Sequence, residues 1–366
     1  MDKINLPKVA HLTEAWQGGI ATYVEGLIKH QLESGEFAVH LICAEGKTPG
    51  LTQPAFNQYF YKSSRRPWKF LHVIKQIKRI IDDINPDIIH AHSSFAGVYS
   101  RLLTLKKKDG TKIPIVYCAH GWSFCQDIPW YKKSAYKFIE QKLLKNTNAI
   151  INLSSHEYHT AANSGITTKI QGIILSCVRE VNQSSNAPLP FLKDKINIGF
   201  IGRLDKQKGY DFFAQQMQLC KRDDIKVHVI GSSVLNKEQI PVNNEFNYIG
   251  WVDNSQIDDY IKQLDVVVIP SRWEGFSLLV LEVMRNSKPV IVSNRTSLPE
   301  AVIQGFNGYI FDFNNPNTFQ DILAKLDKNE LTRMGKNARM VFEQNFCGER
   351  HCMETTGIYR KVLKAG

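Results

Sequence analysis

Short apolar runs alternate with segments whose apolar residues recur at helical spacing, from the first residues almost to the last. This alternation is expected for parallel sheets with crossover helices. In the first half the predicted strands are Lys8–Leu12, Val39–Cys43, Asp87–Ala91, Ile115–Cys118 and Ala149–Leu153. In the second half they are Ile196–Ile201, Lys226–Ile230, Phe246–Ile249, Val266–Ile269, Pro289–Val292 and Tyr309–Phe311.

Between these strands the 3.6-residue periodicity predicts helices. They fall near Ile20–Leu32, Lys69–Ile84, Gly97–Lys106, Ser134–Lys145, Tyr210–Leu219, Ser255–Leu264, Leu278–Asn286, Thr318–Lys325 and Thr332–Glu343. A polar, proline-bearing stretch at Glu180–Pro190 has no periodicity and is the best linker candidate. The fold class is therefore α/β, with two Rossmann-like doubly wound domains at 1–185 and 191–345 and a cleft between them.

Composition is that of an ordinary globular protein, with 43% hydrophobic and 22% charged residues in 366. The first residues lack the pattern of a signal peptide, and no apolar run is long enough for a membrane span. The seven cysteines contain no C-x-x-C pair, which favours free thiols in a reducing compartment. We expect a cytoplasmic protein.

The net charge of +11 is concentrated in the first half, where residues 1–190 carry 23 Lys and Arg against 14 Asp and Glu. Basic and aromatic residues mix at helical spacing in 65–79 and 130–138. Helices on an anionic membrane surface have this pattern, and so do solvated helices with a buried apolar stripe. No nucleic-acid-binding motif accompanies the charge, so nucleic acid is not expected as a partner.

Two carboxylates follow the predicted strand Val266–Ile269. Glu274 lies in a turn with Gly275, and Glu282 lies about one and a half turns into the next helix. The carboxyl end of a strand beside a helix N-terminus is where open α/β sheets bind ligands and where free N–H groups attract phosphate. Two solvated glutamates would give the same spacing. A carboxylate beside phosphate is favourable only if it holds something neutral, and sugar hydroxyls fit.

Two glycine-containing loops also follow strands. Gly202–Gly209 carries Arg203 and Lys208, whose charges can converge on a diphosphate, although a solvated loop has the same composition. Gly18 and Gly19 join the first strand to the first helix, where a ligand can approach the backbone closely. A tight turn would need glycine in any case.

Histidines end two strands of the first half. His120, with Gly121 behind it, can hydrogen-bond a ligand. His90 and His92 resemble a metal pair, but no carboxylate or third histidine follows at useful spacing, so we interpret them as structural. No D-x-D clamp, phosphate loop or nucleophile elbow is present. If a diphosphate is the leaving group, the sequence predicts that no metal or other cofactor neutralises it.

Together these segments resemble the family 4 retaining glycosyltransferases of the GT-B fold. The matching motifs, in the family's order, are G-G-I at 18–20, H-A-H at 90–92, H-G-W at 120–122, G-R-L-D-K-Q-K-G at 202–209, P-S-R-W-E-G-F-S-L-L-V-L-E at 270–282, K-P-V-I-V-S at 288–293, L-P-E at 298–300 and N-G-Y-I-F at 307–311. The segment 346–366 resembles the terminal helix that crosses back to the first domain in this fold. Leu175–Val178 departs from the family, which often has an asparagine-glycine pair there.

The resemblance implies that the second domain binds a nucleotide-sugar donor, and that Glu274 and His120 contact the transferred sugar as catalytic residues. Arg203 and Lys208 would hold the diphosphate, and Glu282 the ribose hydroxyls. The rest of the donor site would be Gly18, Gly19, Val252 beside the base, Gly275, Phe276, and the backbone amides of Ser277 and Leu278.

The resemblance thus implies a retaining, metal-independent transferase that moves a sugar from a nucleotide diphosphate, expected to be UDP, to a saccharide acceptor. We expect a lipid-linked or oligosaccharide acceptor in surface polysaccharide or lipopolysaccharide assembly, and contact with the inner face of an anionic membrane through the basic first domain. Two alternatives stay open: a GT-B nucleotide-sugar epimerase and a catalytically silent partner subunit.

Overall fold

The computed structural model describes residues 6–14, 16, 18–46, 57–64, 66–103, 105–178, 192, 194–233, 243–346 and 348–365. The chain divides into two compact units. The first unit is Met1–Cys177 with Gly348–Gly366, and the second unit is Val178–Cys347. The predicted linker Glu180–Pro190 lies outside the described residues.

The first unit is a parallel sheet covered by helices. Its elements are β1 (Lys8–Thr13), α1 (Gly18–Ser34), β2 (Ala38–Ala44), β3 (Asn57–Tyr61), α2 (Phe70–Ile84), β4 (Ile88–His92), α3 (Ser94–Leu102), β5 (Ile115–Cys118), α4 (Trp130–Leu143), β6 (Ala149–Asn152), α5 (Ser155–Asn163) and β7 (Ile170–Ile173). The strand order is β3-β2-β1-β4-β5-β6-β7. The central strands are buried along their length, as expected for a sheet with helices on both faces.

The second unit repeats the architecture. Its elements are β8 (Ile196–Ile201), α6 (Tyr210–Leu219), β9 (Ile225–Ile230), β10 (Asn247–Gly250), α7 (Ile257–Gln263), β11 (Val266–Ile269), α8 (Leu278–Arg285), β12 (Val290–Ser293), β13 (Gly308–Phe311), α9 (Asn317–Lys325) and α10 (Lys328–Asn345). The strands pair in parallel in the order β10-β9-β8-β11-β12-β13. A last helix, α11 (Gly348–Ala365), belongs to the first unit and contacts α1, β6 and β7. The predicted pair of Rossmann-like domains and the returning helix are confirmed.

Three elements, β3, β7 and α5, were not predicted from the sequence. β3 and β7 are the two outer strands of the first sheet, and most of their residues are partly exposed. Neither therefore has the continuous apolar run by which the buried strands were recognised. Helix α5 buries only Glu157 and Ala161, so it has no apolar stripe. Its start nevertheless has a side-chain N-cap, because Ser154 Oγ accepts a hydrogen bond from the Glu157 backbone N–H, and the Glu157 carboxylate accepts one from the Leu153 N–H.

Parallel strands deliver their following loops to one edge of the sheet. In the first unit β1, β4 and β5 are neighbours, so the segments that contain Gly18, His92 and His120 emerge side by side. In the second unit the neighbours are β8, β11 and β12, which precede Lys208, Glu274 and Thr296. Residues far apart in sequence meet at these two edges.

Candidate functional site

The side chains of Lys208 and Glu274 are in direct contact. Lys208 Nζ lies 2.6 Å from Glu274 Oε1, and Ser271 Oγ donates a hydrogen bond to the same oxygen at 2.8 Å. The backbone N–H of Glu274 donates to Thr296 Oγ1 at 3.0 Å. The segments after three neighbouring strands thus fix the position of one carboxylate, while Lys208 keeps partial access to solvent.

The loop after β8 is held against the loop after β11 by an ion pair. Arg272 makes two parallel bonds to Asp211, at 2.7 and 2.8 Å, and its backbone N–H donates to Gln207 O. Gly209 adopts φ +72°, and a Cβ there would lie 2.0 Å from Pro270 O. The close approach that brings Lys208 to Glu274 therefore needs glycine at 209.

Arg203 does not contact Lys208. Its Nη2 donates to Gln207 Oε1 at 2.7 Å and lies 3.1 Å from Asp205 Oδ2. Asp205 also accepts a hydrogen bond from the Lys208 backbone N–H, so both cations belong to one turn. The Arg203 side chain remains partly exposed and can redirect its donors toward an anion.

Glu282 lies on α8, with its carboxyl group partly buried. Burial raises its pKa, and nearby Asp258 adds to the shift, whereas Arg285 and Lys208 oppose it. Lys208 therefore acts electrostatically on both candidate carboxylates. Among the residues that the structure describes, the Glu282 side chain has no hydrogen-bond partner. It can accept hydrogen bonds from the hydroxyls of a ligand.

The start of α8 lies between the two glutamates. Ser277 is the N-cap residue, is buried, and makes no side-chain cap, so its hydroxyl does not occupy the first N–H groups of the helix. The Phe276 ring lies 5.9 Å from the Phe346 ring. Gly275 comes two residues before the N-cap, and Leu278 directly follows it. An uncapped helix start of this kind suits a phosphate. Val252, predicted beside the base, follows β10 in a partly buried position next to the exposed Trp251.

Gly18 and Gly19 are the first residues of α1, at the carboxyl edge of the first sheet, and both are exposed. Gly18 has φ +63°, and a Cβ there would meet nothing within 4 Å. Glycine is therefore favoured at 18 by the backbone conformation rather than by crowding. The backbone of this turn is open to a ligand.

His120 lies in a strained turn after β5. It has φ +52°, which is uncommon for a residue with a side chain, and Gly121 follows at φ +102°. Glu157 holds the turn: its carboxylate accepts hydrogen bonds from the backbone N–H groups of Gly121 and Leu153, and its carbonyl accepts one from Trp122 Nε1. The fold thus fixes the direction of the His120 ring at the sheet edge.

His120 belongs to a cluster of five histidines. His11 comes from β1, His90 and His92 from β4, and His351 from α11. His11 pairs in register with His90, so these rings lie on one face of the sheet. Tyr23 of α1 packs edge-on against His92, His120 and His351. Burial lowers the pKa of each of the five, so the rings are neutral at pH 7.

A third histidine lies beside His90 and His92, although none follows them at ligand spacing in the sequence. His11 precedes them in the sequence and reaches them through the β1–β4 pairing, and the nitrogens of the three rings lie within 4.8 Å of one another. Three neutral imidazoles can hold a transition metal. However, His11 Nδ1 and His92 Nε2 are hydrogen-bonded at 3.0 Å, so one of these nitrogens carries a proton and has no lone pair for a metal. The absence of a metal stays a prediction.

Several site residues were not found from the sequence. Ser271, Thr296, Arg272 and Asp211 position Glu274 and Lys208. Glu157 positions His120. For Glu157 the S-x-x-E pattern at 154–157 was the available signal. The other four have no local signal, because their roles depend on which strands are neighbours.

Family models for glycosyltransferases match both halves of the chain. Residues 17–173 match the model described as Glycosyltransferase Family 4, and residues 182–341 match the one described as Glycosyl transferases group 1. An uncharacterized 41.2 kDa protein in the cps region of Klebsiella pneumoniae is 33% identical over 86% of this chain and 88% of its own length. A UDP-Gal:alpha-D-GlcNAc-diphosphoundecaprenol alpha-1,3-galactosyltransferase of Escherichia coli is 24% identical over 84% and 85%.

Solved structures with the same fold cover almost the whole chain. Sucrose-phosphate synthase from Thermosynechococcus elongatus superposes with a TM-score of 0.81 at 18% identity, over 98% of this chain and 100% of its own. HepE of Anabaena, in complex with UDP and glucose, gives 0.80 at 15% identity, over 97% and 100%. At these identities the likeness shows the fold alone.

We expect acid to destabilise the first unit. Burial lowers the pKa of His11 and His351 to about 4 and of His120 to about 3, from 6.5. These rings stay neutral when folded, whereas unfolded rings take up protons below pH 6.5. Stability that is present above pH 6.5 is therefore lost as the pH falls toward 4. At about pH 5 each ring should lower the free energy of unfolding by about 2 kcal/mol.

Urea unfolding at neutral pH and at about pH 5 measures this loss. The variant His11→Gln should show a weaker pH dependence, because it removes one titrating group. The variant His159→Gln changes an exposed histidine and should leave the pH dependence as it is. Equal stability of the unmodified protein at the two pH values would contradict the prediction.

Proposed function

The chain belongs to glycosyltransferase family 4 and has the GT-B fold, and we propose that it transfers a sugar from a UDP-sugar to a lipid-linked saccharide. The transfer retains the anomeric configuration, needs no metal, and serves surface polysaccharide or lipopolysaccharide assembly. The UDP-sugar is supported by the fold relative that holds UDP and glucose and by the relative named for UDP-Gal. The acceptor class is supported by the diphosphoundecaprenol in the latter name.

The contact between Lys208 and Glu274 carries the proposal. Glu274 Oε1 accepts from Lys208 and Ser271, which leaves its second oxygen for sugar hydroxyls. Lys208 pairs with Glu274 and also acts electrostatically on Glu282, and these two glutamates come before and after the uncapped start of α8 in the sequence. A diphosphate at this helix start would meet Lys208 and backbone N–H groups, with the transferred sugar on the Glu274 side and the ribose on the Glu282 side.

The chemistry follows from this placement. The bond between the anomeric carbon and the diphosphate oxygen breaks, and its electron pair leaves with the diphosphate. Lys208, Arg203 and the α8 N–H groups stabilise that charge in place of a metal. The acceptor oxygen bonds the anomeric carbon from the same face, and its proton passes to a phosphate oxygen. Glu274 accepts hydrogen bonds from the sugar and orients it, and it is not the nucleophile.

A membrane location is proposed from helix α4. Its buried residues are Glu140 and Leu143, whereas Trp130, Tyr131 and Phe138 are 78, 56 and 58% exposed. The only acidic residue of this helix, Glu140, is paired with the buried Arg101, while the helix carries four lysines. An apolar surface with only positive exposed charge is complementary to anionic lipid.

The aromatic surface continues on a second helix. Trp68, two residues before α2, and Leu71, in its first turn, are exposed, and Arg66 lies over the Trp68 ring. Helix α2 contacts α3, and α3 contacts α4. Since both helices begin at the carboxyl edge of the sheet, the proposed lipid contact borders the edge that carries His120. Within the described residues no helix has the length and apolarity to cross a bilayer. From the exposed aromatic and basic residues of α4 we propose peripheral binding at the cytoplasmic face of the membrane.

The proposed reaction can be tested directly. The purified chain is incubated with a panel of radiolabelled UDP-sugars and a bacterial lipid extract, in the presence of EDTA. We expect label from one donor to enter the lipid fraction, with an axial donor giving an axial glycosidic linkage by NMR of the released glycan. Epimerised nucleotide sugar formed without acceptor would favour an epimerase. Absence of turnover with every donor would favour a silent subunit.

The variants Glu274→Gln and Glu282→Gln should distinguish the sugar contact of Glu274 from the ribose contact of Glu282. Gln at 274 keeps the shape but loses the charge that grips the sugar, so kcat should fall about 100-fold with little change in KM for the donor. Gln at 282 weakens the ribose contact, so KM should rise about tenfold with kcat nearly unchanged. Steady-state kinetics with the matching donor measures both. Full transfer by the Glu274→Gln variant would contradict its assignment.

Removing charge from α4 should weaken binding to anionic vesicles. Each lysine near such a surface contributes about 1 kcal/mol, so Lys132→Gln, Lys137→Gln and Lys142→Gln together should lower the partition coefficient about 100-fold. Sedimentation with phosphatidylcholine vesicles, with and without phosphatidylglycerol, measures this. A matched variant with Lys221→Gln, Lys325→Gln and Lys336→Gln changes exposed lysines of the second unit and should bind normally. Equal loss in both variants would refute a role specific to α4.

A further inference from the structure

A chain of hydrogen bonds runs through the buried histidines to His120. Gln31 Oε1 lies 2.8 Å from His11 Nε2, His11 Nδ1 lies 3.0 Å from His92 Nε2, and His92 Nδ1 lies 3.1 Å from His120 Nε2. Gln31, His11 and His92 are completely buried, and His120 is partly buried at the end of the chain. Four side chains from α1, β1, β4 and the loop after β5 thus form one connected line.

The direction of these bonds follows from proton counting. Burial lowers the pKa of all three histidines, so each is neutral and has one N–H and one lone pair. The amide oxygen of Gln31 only accepts, so His11 carries its proton on Nε2 and accepts at Nδ1. His92 must then donate from Nε2 and accept at Nδ1, and His120 must donate from Nε2. This leaves a lone pair on His120 Nδ1.

The Gln31 side chain is placed with its amide oxygen toward His11. The Tyr359 hydroxyl lies 2.6 Å from His90 Nδ1. Within the described residues the Gln31 amide nitrogen has no hydrogen-bond partner, so the Oε1 contact with His11 is the one that ties Gln31 to the line.

We propose that Gln31, His11 and His92 are positioning residues that hold His120 as the Nε2–H tautomer, so that Nδ1 accepts a hydrogen bond from a substrate hydroxyl. This inference rests on the proposed sugar transfer for its substrate but not for the tautomer itself. Within the described residues His120 Nδ1 has no hydrogen-bond partner. The site would favour sugars with a hydroxyl at that position over the corresponding deoxy sugars.

The Gln31 oxygen is the acceptor that sets the direction of the hydrogen bonds in the line. Replacing Gln31 should therefore exchange donor and acceptor in each of these bonds. In Gln31→Met the His11 Nε2–H would be a buried donor without an acceptor, which is costly. If each proton moves to the other nitrogen of its ring, the unpaired donor is transferred to His120 Nδ1, which is less buried. His120 would then donate where it formerly accepted. The conservative variant Gln31→Glu keeps an acceptor oxygen and should keep the original direction.

The tautomer is measured by ¹⁵N NMR of the histidine-labelled free protein, with the His120 signals assigned by their loss in His120→Gln. We expect a protonated Nε2 and an unprotonated Nδ1 in the unmodified protein and in Gln31→Glu, and the reverse in Gln31→Met. His40→Asn, a change of a buried histidine of β2 whose ring lies against Tyr59 and outside the cluster, should leave the His120 signals as they are. A protonated Nδ1 in the unmodified protein, or an unchanged tautomer in Gln31→Met, would overturn the proposal.

Kinetics add a second readout. With the matching donor, Gln31→Met should lower kcat about tenfold with KM within about twofold, because a single hydrogen bond to the reacting sugar is lost. The deoxy analogue of the donor lacks the hydroxyl that Nδ1 binds. The unmodified protein and Gln31→Met should therefore transfer it equally slowly. If the tautomer is as expected but no donor is transferred by the unmodified protein, the proposed function fails and the tautomer assignment stands. An unchanged kcat in a Gln31→Met protein whose tautomer is reversed would refute the acceptor role of Nδ1.

Discussion

The ion pair between Lys208 and Glu274 is the interaction on which the candidate site depends. In the proposed function a carboxylate next to a diphosphate would be repulsive, and the Lys208 ammonium group against Glu274 would offset that repulsion. At Glu282 the raised pKa is opposed by Arg285 first and by Lys208 second. Without Lys208, the Glu274 carboxylate would have no ion-pair partner among the residues that the structure describes.

Parallel sheet topology makes this arrangement possible. β8 and β11 are neighbours, so the loops after them meet, and the Arg272–Asp211 pair and Gly209 hold them together. The first unit applies the same rule with β1, β4 and β5, which bring histidines from distant parts of the sequence into one buried line. Non-glycine residues with positive φ occur at both edges, at Ser93, His120 and Thr296, where the backbone turns sharply to place side chains.

Much of this could be predicted from the sequence. Buried strands such as Val266–Ile269 and the loop motifs after them predicted the two sheets and the residues Lys208, Glu274 and Glu282. Three kinds of feature could not be predicted. Outer strands such as β3 have no continuous apolar run, the third histidine needs the β1–β4 pairing, and Arg203 is held by Asp205 and Gln207 in its own turn instead of lying beside Lys208. Each depends on contacts made after folding, which local patterns do not encode.

The central claim is that Glu274, which holds the transferred sugar, lies close enough to the proposed diphosphate site that Lys208 must compensate its negative charge. Calorimetric titration of UDP and of uridine into the unmodified protein and into Glu274→Gln tests it most directly. Removing the negative charge should tighten UDP binding about fivefold, since Lys208 is then free for the diphosphate, and should leave uridine binding unchanged. UDP affinity that is unchanged or weaker in this variant would contradict the account.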